Sequence, residues 1–319
     1  MLSALVHDWS HSLADLYEGV PVPAALGESE PWWAGHGLAG RSTTFAPPDR
    51  TDACTPAQLA DAPLRVAMLV GPDALHDVAG VHSLAHQLGA PVANTWGAKG
   101  IYPWDSPHHM GTCGLQRDDF LLLGLHEFEL VVAIGLDDAE SHPMLPEGGD
   151  LRHFAGDLTS VKVRHAPRRL VPAGDNKLFR RMRAIAQPGY VDDSYPRHPA
   201  RAVMDLKQSL GAETRVTAQP GDVGLWIART FPTDRMGSVV VPAHDRPGIG
   251  AAIGLVSAAR GVDTVTVARG PVDEPTWDIL EIARRHELPL RLETWRDDVD
   301  WSRTADLVAA AGPVVAWTA

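Results

Sequence analysis

The 319-residue sequence predicts an α/β protein built from two doubly wound parallel-sheet domains. The length suits two hydrophobic cores of ordinary domain size. Hydrophobic residues make up 45% of the chain and charged residues 21%, a globular composition that excludes a disordered or coiled-coil protein. Short apolar runs alternate with helical patterns along the chain. This alternation predicts parallel sheets that are covered by helices on both faces.

The first series of alternating elements begins with an apolar run at 64–70, which predicts a strand that stops at Gly71-Pro72. Apolar residues at helical spacing follow and predict a helix: Leu75, Val78, Val81, Leu84 and Leu88. The other elements predicted for this series are a strand at 91–95, a helix at 118–125, strands at 130–134 and 160–164, and a helix at 177–186.

A stretch rich in proline and aspartate, residues 187–199, predicts a linker between the two domains. The second series is predicted as helices at 200–210, 222–230, 248–260, 274–286 and 302–311, with strands at 238–241, 264–267, 288–292 and 313–317. Ahead of both series the sequence predicts a helix at 2–16, a strand at 20–22 and an irregular connector at 28–56. The predicted division is a leading segment at 1–61, a first domain at 62–190 and a second domain at 191–319.

Charge and composition restrict the expected partners and compartment. The formal net charge of −12 argues against nucleic acid and anionic membranes as partners, because both require a basic face. The basic run at 164–183 is interpreted as a solvated face, with phosphate binding as the alternative. No secretory signal or membrane-spanning run is evident, and two cysteines suit a reducing compartment. We therefore expect a cytoplasmic protein.

The segment at 84–111 carries the most informative pattern in the chain. It reads LAHQLGAPVANTWGAKGIYPWDSPHHMG, with a helix end at Gly89-Ala90-Pro91, a turn at 97–100 and a loop containing Pro103, Asp105 and Pro107. This order and spacing resemble the thiamine-diphosphate (ThDP) enzymes of the acetolactate synthase, benzoylformate decarboxylase and oxalyl-CoA decarboxylase type. The resemblance implies that 62–190 is the central domain of such an enzyme.

The second domain resembles the diphosphate-binding domain of the same superfamily. Asp222-Val223-Gly224 is similar to its opening motif, and the run from Gly248 to Gly254 is similar to a glycine-rich helix start. Ala268-Arg269-Gly270 stands where the family has its metal-binding triplet. The resemblance implies the following cofactor-binding candidates: Asp222, Gly224, Gly248, Gly250, Arg269 and Gly270. By the same resemblance, 1–61 holds the tail of a pyrimidine-binding domain followed by a linker.

The chain departs from the family at three functional positions. The glutamate that activates the cofactor lies in a part of the pyrimidine-binding domain that the resemblance does not find here, so no catalytic residue is assigned. Arg269 stands where the metal ligand should be an aspartate, and Glu293-Thr294 stands where an asparagine is expected. Asp245 occupies the place of an apolar wedge. One oxygen ligand could remain at Glu293 or Thr294, but the set that Mg²⁺ needs is incomplete, so Mg²⁺ is doubtful and no metal ligand is assigned.

Several other residues were weighed as sites. Arg269 is either a phosphate-binding residue or a surface arginine in a loop that has lost its constraint. The spacing of His108, His109, Cys113 and His126 matches no zinc pattern. Asp137-Asp138 is similar to a pair in flavin-containing relatives, but its surroundings differ. The turn at 71–74 lacks the glycine-rich sequence that lets a nucleotide approach closely.

Two functions follow from the resemblance. In the first, the chain is a non-catalytic relative that acts as a binding, scaffolding or regulatory subunit. In the second, it is one part of a split ThDP-dependent decarboxylase or carboligase acting on 2-oxo acids, whose pyrimidine domain is on another chain. ThDP is the one cofactor left open by these alternatives. The expected partner is a second copy of the chain, or that separate pyrimidine-domain chain.

Overall fold

The structure is a computed structural model that describes residues 44–45, 53–61, 65–137, 140, 150–164, 176–235, 237–243 and 245–317. The predicted helix at 2–16 and strand at 20–22 lie outside the described residues, as does most of the connector at 28–56. In the described part of the connector, β1 (Thr44–Phe45) and β2 (Ala53–Cys54) form two short strands. The described residues form two parallel sheets with helices between the strands, so the predicted α/β class is confirmed.

The first sheet has six described strands in the order β2-β7-β6-β3-β4-β5, and every pair of neighbours is parallel. Its strands after β2 are β3 (Val66–Val70), β4 (Val92–Thr95), β5 (His109–Cys113), β6 (Leu130–Ile134) and β7 (Leu151–Phe154). The central strands β3 and β6 are buried at every position. Their unbroken apolar runs are therefore explained by burial on both faces of the sheet.

Four helices accompany the first sheet: α1 (Pro56–Ala60), α2 (Val78–Leu88), α3 (Asp119–Leu123) and α4 (Lys177–Tyr190). Asp77 caps the first turn of α2 by accepting a hydrogen bond from the Gly80 N–H. Gly89 ends α2 in the left-handed region, at φ 59°, where glycine is favoured. The Asn176 side chain caps α4 in the same way as Asp77 caps α2. A two-residue strand, β8 (Gly156–Asp157), pairs antiparallel with β1.

The second sheet has four described strands in the order β10-β9-β11-β12, again all parallel. They are β9 (Arg215–Ala218), β10 (Val239–Val240), β11 (Thr264–Arg269) and β12 (Leu290–Trp295). The helices are α5 (Pro199–Ser209), α6 (Asp222–Thr230), α7 (Ile249–Ala258), α8 (Glu274–Arg285) and α9 (Thr304–Ala311).

Two predicted strands were wrong, and one predicted helix is longer than expected. No strand forms at 160–164, because residues 158–160 make a 3₁₀ turn and the strand positions are taken by β7 and β8. The segment at 313–317 contributes only a bridge between Val314 and Gln116 to the described pairings. The helix predicted to end at Ala186 continues through Pro188 to Tyr190, which shortens the predicted linker at 187–199. The domain boundaries themselves stay predictions.

One apolar cluster joins the two sheets. It contains buried residues of the first sheet and its helices, such as Leu69 and Phe120, together with buried residues of the second, such as Val267 and Trp295. Gln116 adds polar links, since its side-chain amide donates to the Leu307 carbonyl at 2.8 Å and to the Gly312 carbonyl at 2.7 Å. In the described residues, no helix is both long and apolar enough to cross a membrane.

Candidate functional site

The six predicted cofactor-binding residues lie together at the carboxyl edge of the second sheet. Asp222 and Gly224 begin α6 after β9, Gly248 and Gly250 begin α7 after β10, and Arg269 and Gly270 follow one another at the end of β11. Ligands of parallel α/β sheets bind at this edge, because the loops after neighbouring strands converge there. The resemblance therefore predicted a set of residues that the fold brings together, although their binding role stays a prediction.

Close backbone packing explains two of the glycines at this edge. A side chain on Gly250 would lie 2.9 Å from the Ala218 carbonyl, so glycine lets α7 press against the end of β9. Gly248 has φ 74°, and a side chain there would lie 2.9 Å from the Cβ of Pro275. Only glycine adopts that backbone conformation readily in so tight a place. The glycine positions therefore hold the loops of this edge close together.

Arg269 is neutralised by a carboxylate at the same edge. Its guanidinium forms an ion pair with Asp222 and also lies over the indole ring of Trp301, 4.9 Å from the ring centroid. The Arg269 side chain is 50% exposed. The charge of Arg269 is thus already paired within the chain, and its role in phosphate binding stays a prediction.

The Asp273 carboxylate accepts a hydrogen bond from Gly248, which provides the first backbone N–H of the glycine-rich turn. One carboxylate oxygen of Asp273 accepts from the Gly248 N–H at 3.2 Å and from the Gln219 side chain at 2.8 Å. The other oxygen caps α8 by accepting from the Thr276 N–H at 2.8 Å. A carboxylate of the protein thus stands where the end of a helix would otherwise offer an N–H group to an anion.

The expected position of Glu293 and Thr294 was wrong. The sequence places them after the strand, but β12 extends to Trp295, so both lie within it and pair with Val267 and Ala268. They stand inside a hydrogen-bonded ladder rather than in the loop beyond the sheet. The residues of this edge therefore do not fit a diphosphate bridged by Mg²⁺: Asp222 pairs with Arg269, Asp273 accepts from the Gly248 N–H, and among the described residues no group of three metal-ligating side chains exists.

A second charged cluster lies buried between the two sheets, and sequence analysis missed it. Arg229 of α6 and Asp119 of α3 form an ion pair in which both side chains are at most 1% exposed. Arg229 also donates to the Gln116 side chain at 3.1 Å and to the Thr112 carbonyl at 2.6 Å. The carboxylate accepts from the backbone N–H groups of Leu115 and Gln116.

The protonation of this pair follows from its donors. Burial raises the pKa of Asp119, whereas Arg229 and the two backbone N–H groups oppose that rise. Each of these neighbours donates a hydrogen bond, which favours the ionised carboxylate. The pair is therefore a complete ion pair, and its charges cancel.

Lys99 extends the cluster and has no hydrogen-bond partner. It is 2% exposed, and its Nζ lies 5.3 Å from the ring centroid of Trp104. Burial, aided by the charge of Arg229, lowers the pKa of Lys99 to about 7. A buried ammonium without a carboxylate or a carbonyl to bind is costly, so the amine loses its proton far more readily than one in water.

His109, the first residue of β5, is the second unpartnered group of this cluster. Both ring nitrogens lack a hydrogen-bond partner, and burial together with the charge of Lys99 lowers its pKa to about 3. Its ring centroid lies 5.9 Å from that of Trp104 and 5.8 Å from that of Phe179. His109 is therefore neutral at physiological pH and packed among aromatic rings.

Glu140 is a further buried titratable group, near the carboxyl end of β4. Its carboxyl oxygen accepts from the Gly97 N–H at 3.0 Å, and burial raises its pKa to about 8. The group is therefore largely protonated at neutral pH.

One signal in the sequence could have revealed the buried cluster around Arg229: this arginine interrupts a helix whose other residues are mostly apolar. Lys99 and Glu140 gave no such signal, because their burial depends on distant contacts.

Comparisons with known proteins find a family match for part of the chain. Residues 57–175 match the family model of the thiamine pyrophosphate enzyme central domain. None of the curated proteins matches the sequence. Among solved structures, the fold is similar to that of a protein proposed to be a thiamin diphosphate-dependent enzyme, isolated from Mycobacterium smegmatis, with a TM-score of 0.56 and 16% identity. That likeness covers 92% of this chain but only 63% of the other, so this chain spans less than two thirds of its neighbour's length.

Proposed function

We propose that this chain is a non-catalytic member of the thiamine-diphosphate enzyme superfamily, whose central-domain model matches residues 57–175. It acts as a binding, scaffolding or regulatory subunit rather than as an enzyme on its own. It works in the cytoplasm as part of an assembly, either with further copies of itself or with a separate chain. The structural neighbour supports only the fold, because the identity is 16%.

The ion pair between Arg269 and Asp222 is the observation that supports this proposal best. A ThDP-binding edge must present cations and free N–H groups to a diphosphate. Here the guanidinium is held by a carboxylate of the same edge, and Asp273 accepts from the Gly248 N–H. An incoming diphosphate would meet both carboxylates, and like charges repel.

Calorimetric titration with ThDP and Mg²⁺ tests the proposal. We expect no saturable heat from the wild-type protein. The variant Arg269→Asp restores the charge that the family has in this triplet, and a gain of ThDP binding there would show that the rest of the edge is intact. Arg291→Asp is the matched control. Arg291 lies at the start of β12, is also exposed and also pairs with a carboxylate, that of Asp263. Saturable binding of ThDP to the wild-type protein would overturn the proposal.

The alternative is a split ThDP-dependent decarboxylase or carboligase on 2-oxo acids. The close packing of Gly248 and Gly250 favours it, because the loops at this edge keep the tight approach that a diphosphate site uses. Native mass spectrometry of the assembly recovered from its host separates the two. A partner of pyrimidine-domain size together with the mass of ThDP would establish the split enzyme. A homo-oligomer without cofactor mass would support the non-catalytic subunit.

A further inference from the structure

Lys99 and His109 are buried side chains whose nitrogen atoms form no hydrogen bonds in the described structure. The Trp104 ring lies against both of them. The lysine Nζ and both histidine nitrogens are closed to solvent and have no partner in the described structure. Buried polar groups in folded proteins are nearly always satisfied, and an exception points to a bound water, ion or functional group. We propose that Lys99, His109 and Trp104 form a buried binding site for a small monocarboxylate anion.

The charge of the ligand follows from the charges around the site. Arg229 and Asp119 cancel one another as a buried ion pair. His109 is neutral, which leaves the ammonium of Lys99 as the one unbalanced charge among these four groups. A single negative charge balances it. A diphosphate or another multiply charged ligand would instead leave excess negative charge in a medium of low dielectric constant, which is strongly unfavourable.

The hydrogen-bond donors favour an acceptor with two oxygens. The Lys99 ammonium offers up to three N–H groups, and the neutral His109 ring offers one donor from either nitrogen. A carboxylate accepts from both residues at once, through different oxygens. The aromatic rings of Trp104 and Phe179, whose centroids are 5.3 Å apart, give the site an apolar wall that suits the short carbon chain of such an anion.

Binding changes the protonation of Lys99, and this gives the proposal a specific signature. An anion stabilises the ammonium, so it raises the pKa of Lys99 from about 7 and draws a proton from the solvent. Because more of the free lysine is already protonated at lower pH, the anion binds more tightly as pH falls from 8 to 6. A ligand bound at an exposed arginine would take up no proton over this range.

Entry to the site requires movement of the loop that carries Trp104. The backbone N–H of Trp104 donates to the Thr233 carbonyl at 2.8 Å and so ties this loop to the segment after α6. When the loop lifts, this hydrogen bond is exchanged for one to water at a small net cost, and the contacts of Trp104 with His109 and Phe179 are lost as well. The site is thus closed when empty and opens by separating the loop from Thr233.

Calorimetric titration of the full chain with sodium acetate tests the proposal. The titration is done at pH 7 in two buffers with different enthalpies of ionisation. We expect a saturable heat that differs between the buffers by the amount of a net proton uptake, and a lower Kd at pH 6 than at pH 8. No saturable heat with acetate, formate or bicarbonate at any of these pH values would overturn the proposal. Binding without proton uptake would overturn it as well.

Two variants locate the binding in this cluster. Lys99→Met keeps an unbranched side chain, one atom shorter, and removes the buried amine. We expect the variant to fold and its Kd for acetate to rise by about tenfold or more, as for the loss of a hydrogen bond to a charged group. His109→Phe keeps the aromatic contact and removes the donor. The control is Lys207→Met, since Lys207 also lies over an aromatic ring, that of Phe231, outside the cluster. Unchanged acetate binding in Lys99→Met would assign the heat to another site and refute the proposal.

Discussion

The two charged clusters of this protein differ in how their charges are balanced. At the carboxyl edge of the second sheet, Asp273 accepts from Gly248, and Arg269, whose side chain is 50% exposed, pairs with Asp222. Between the sheets, Arg229 pairs with Asp119, but Lys99 is buried without a partner. The edge at which an α/β sheet ordinarily binds its ligand is satisfied from within the chain. The unused capacity lies instead where the two sheets pack together.

The largest expected effect comes from breaking the buried pair. Arg229→Met leaves the carboxylate of Asp119 buried and uncompensated, and we expect the free energy of unfolding to fall by about 3–5 kcal/mol. Urea denaturation measures this loss. The control Arg284→Met breaks an exposed pair with Glu281 and should cost less than about 1 kcal/mol. Equal losses in the two variants would remove the distinction between buried and exposed clusters.

A double variant sharpens this test. Arg229→Met combined with Asp119→Leu removes both charges together and fills the space with apolar side chains. We expect it to be more stable than Arg229→Met alone, because the cost of the single change comes mainly from the charge that is left behind. If the double variant is less stable than the single one, the cost lies in lost packing.

An intermediate and pH-dependent effect is expected at Glu140. Its pKa is raised from 4.5 to about 8, so the stability that its protonated form contributes is full below pH 4.5 and is lost as pH rises through 8. We expect the wild-type protein to lose up to about 4 kcal/mol relative to Glu140→Gln across this window, at 1.36 kcal/mol per pKa unit. Urea midpoints of both proteins at pH 5 and pH 8 measure the difference. The exposed Glu213→Gln serves as control, and parallel pH profiles for Glu140→Gln and wild type would contradict the prediction.

The smallest effect is expected at the carboxyl edge. Asp222→Asn breaks the pair with Arg269, whose side chain is half exposed, and exposed pairs of this kind contribute about 0–1 kcal/mol. We therefore expect the urea midpoint to change little. A loss comparable to that of Arg229→Met would mean that the two clusters do not differ as the structure indicates.

The strands that the sequence predicted and those that it missed differ in composition. The runs at 66–70 and 130–134 are wholly apolar and buried, and such runs are readily recognised as strands. The strands β5 and β9 were missed, because β5 contains histidine, glycine and threonine, and β9 begins with arginine. In β9, Thr217 is accepted in the interior because its hydroxyl bonds that of Thr266 at 2.8 Å. The hydroxyl that satisfies Thr217 lies on β11, so the local sequence of β9 does not reveal it.

The candidate site was predicted only in part, because some of its residues come from segments that are distant in the sequence. The resemblance identified the glycines and Arg269 at the carboxyl edge, since their spacing along the chain is local. It did not identify Asp273 or Trp301, which bind Gly248 and Arg269 from other elements. It also placed Glu293 beyond a strand that in fact continues to Trp295. Spacing predicts which loops meet, but the partners of a charged group come from the packing of those loops.

By itself, the sequence determined the α/β class, the alternation of most strands and helices, and the resemblance to ThDP enzymes, because each depends on patterns within about thirty residues. Only the tertiary structure decided which charges are balanced. Arg269 meets a carboxylate 47 residues away, and Arg229 meets one 110 residues away. Lys99 is buried and meets none, although Arg229 of α6 is near enough to lower its pKa. Burial and pairing depend on contacts between distant segments, so they are decided when the two sheets pack together.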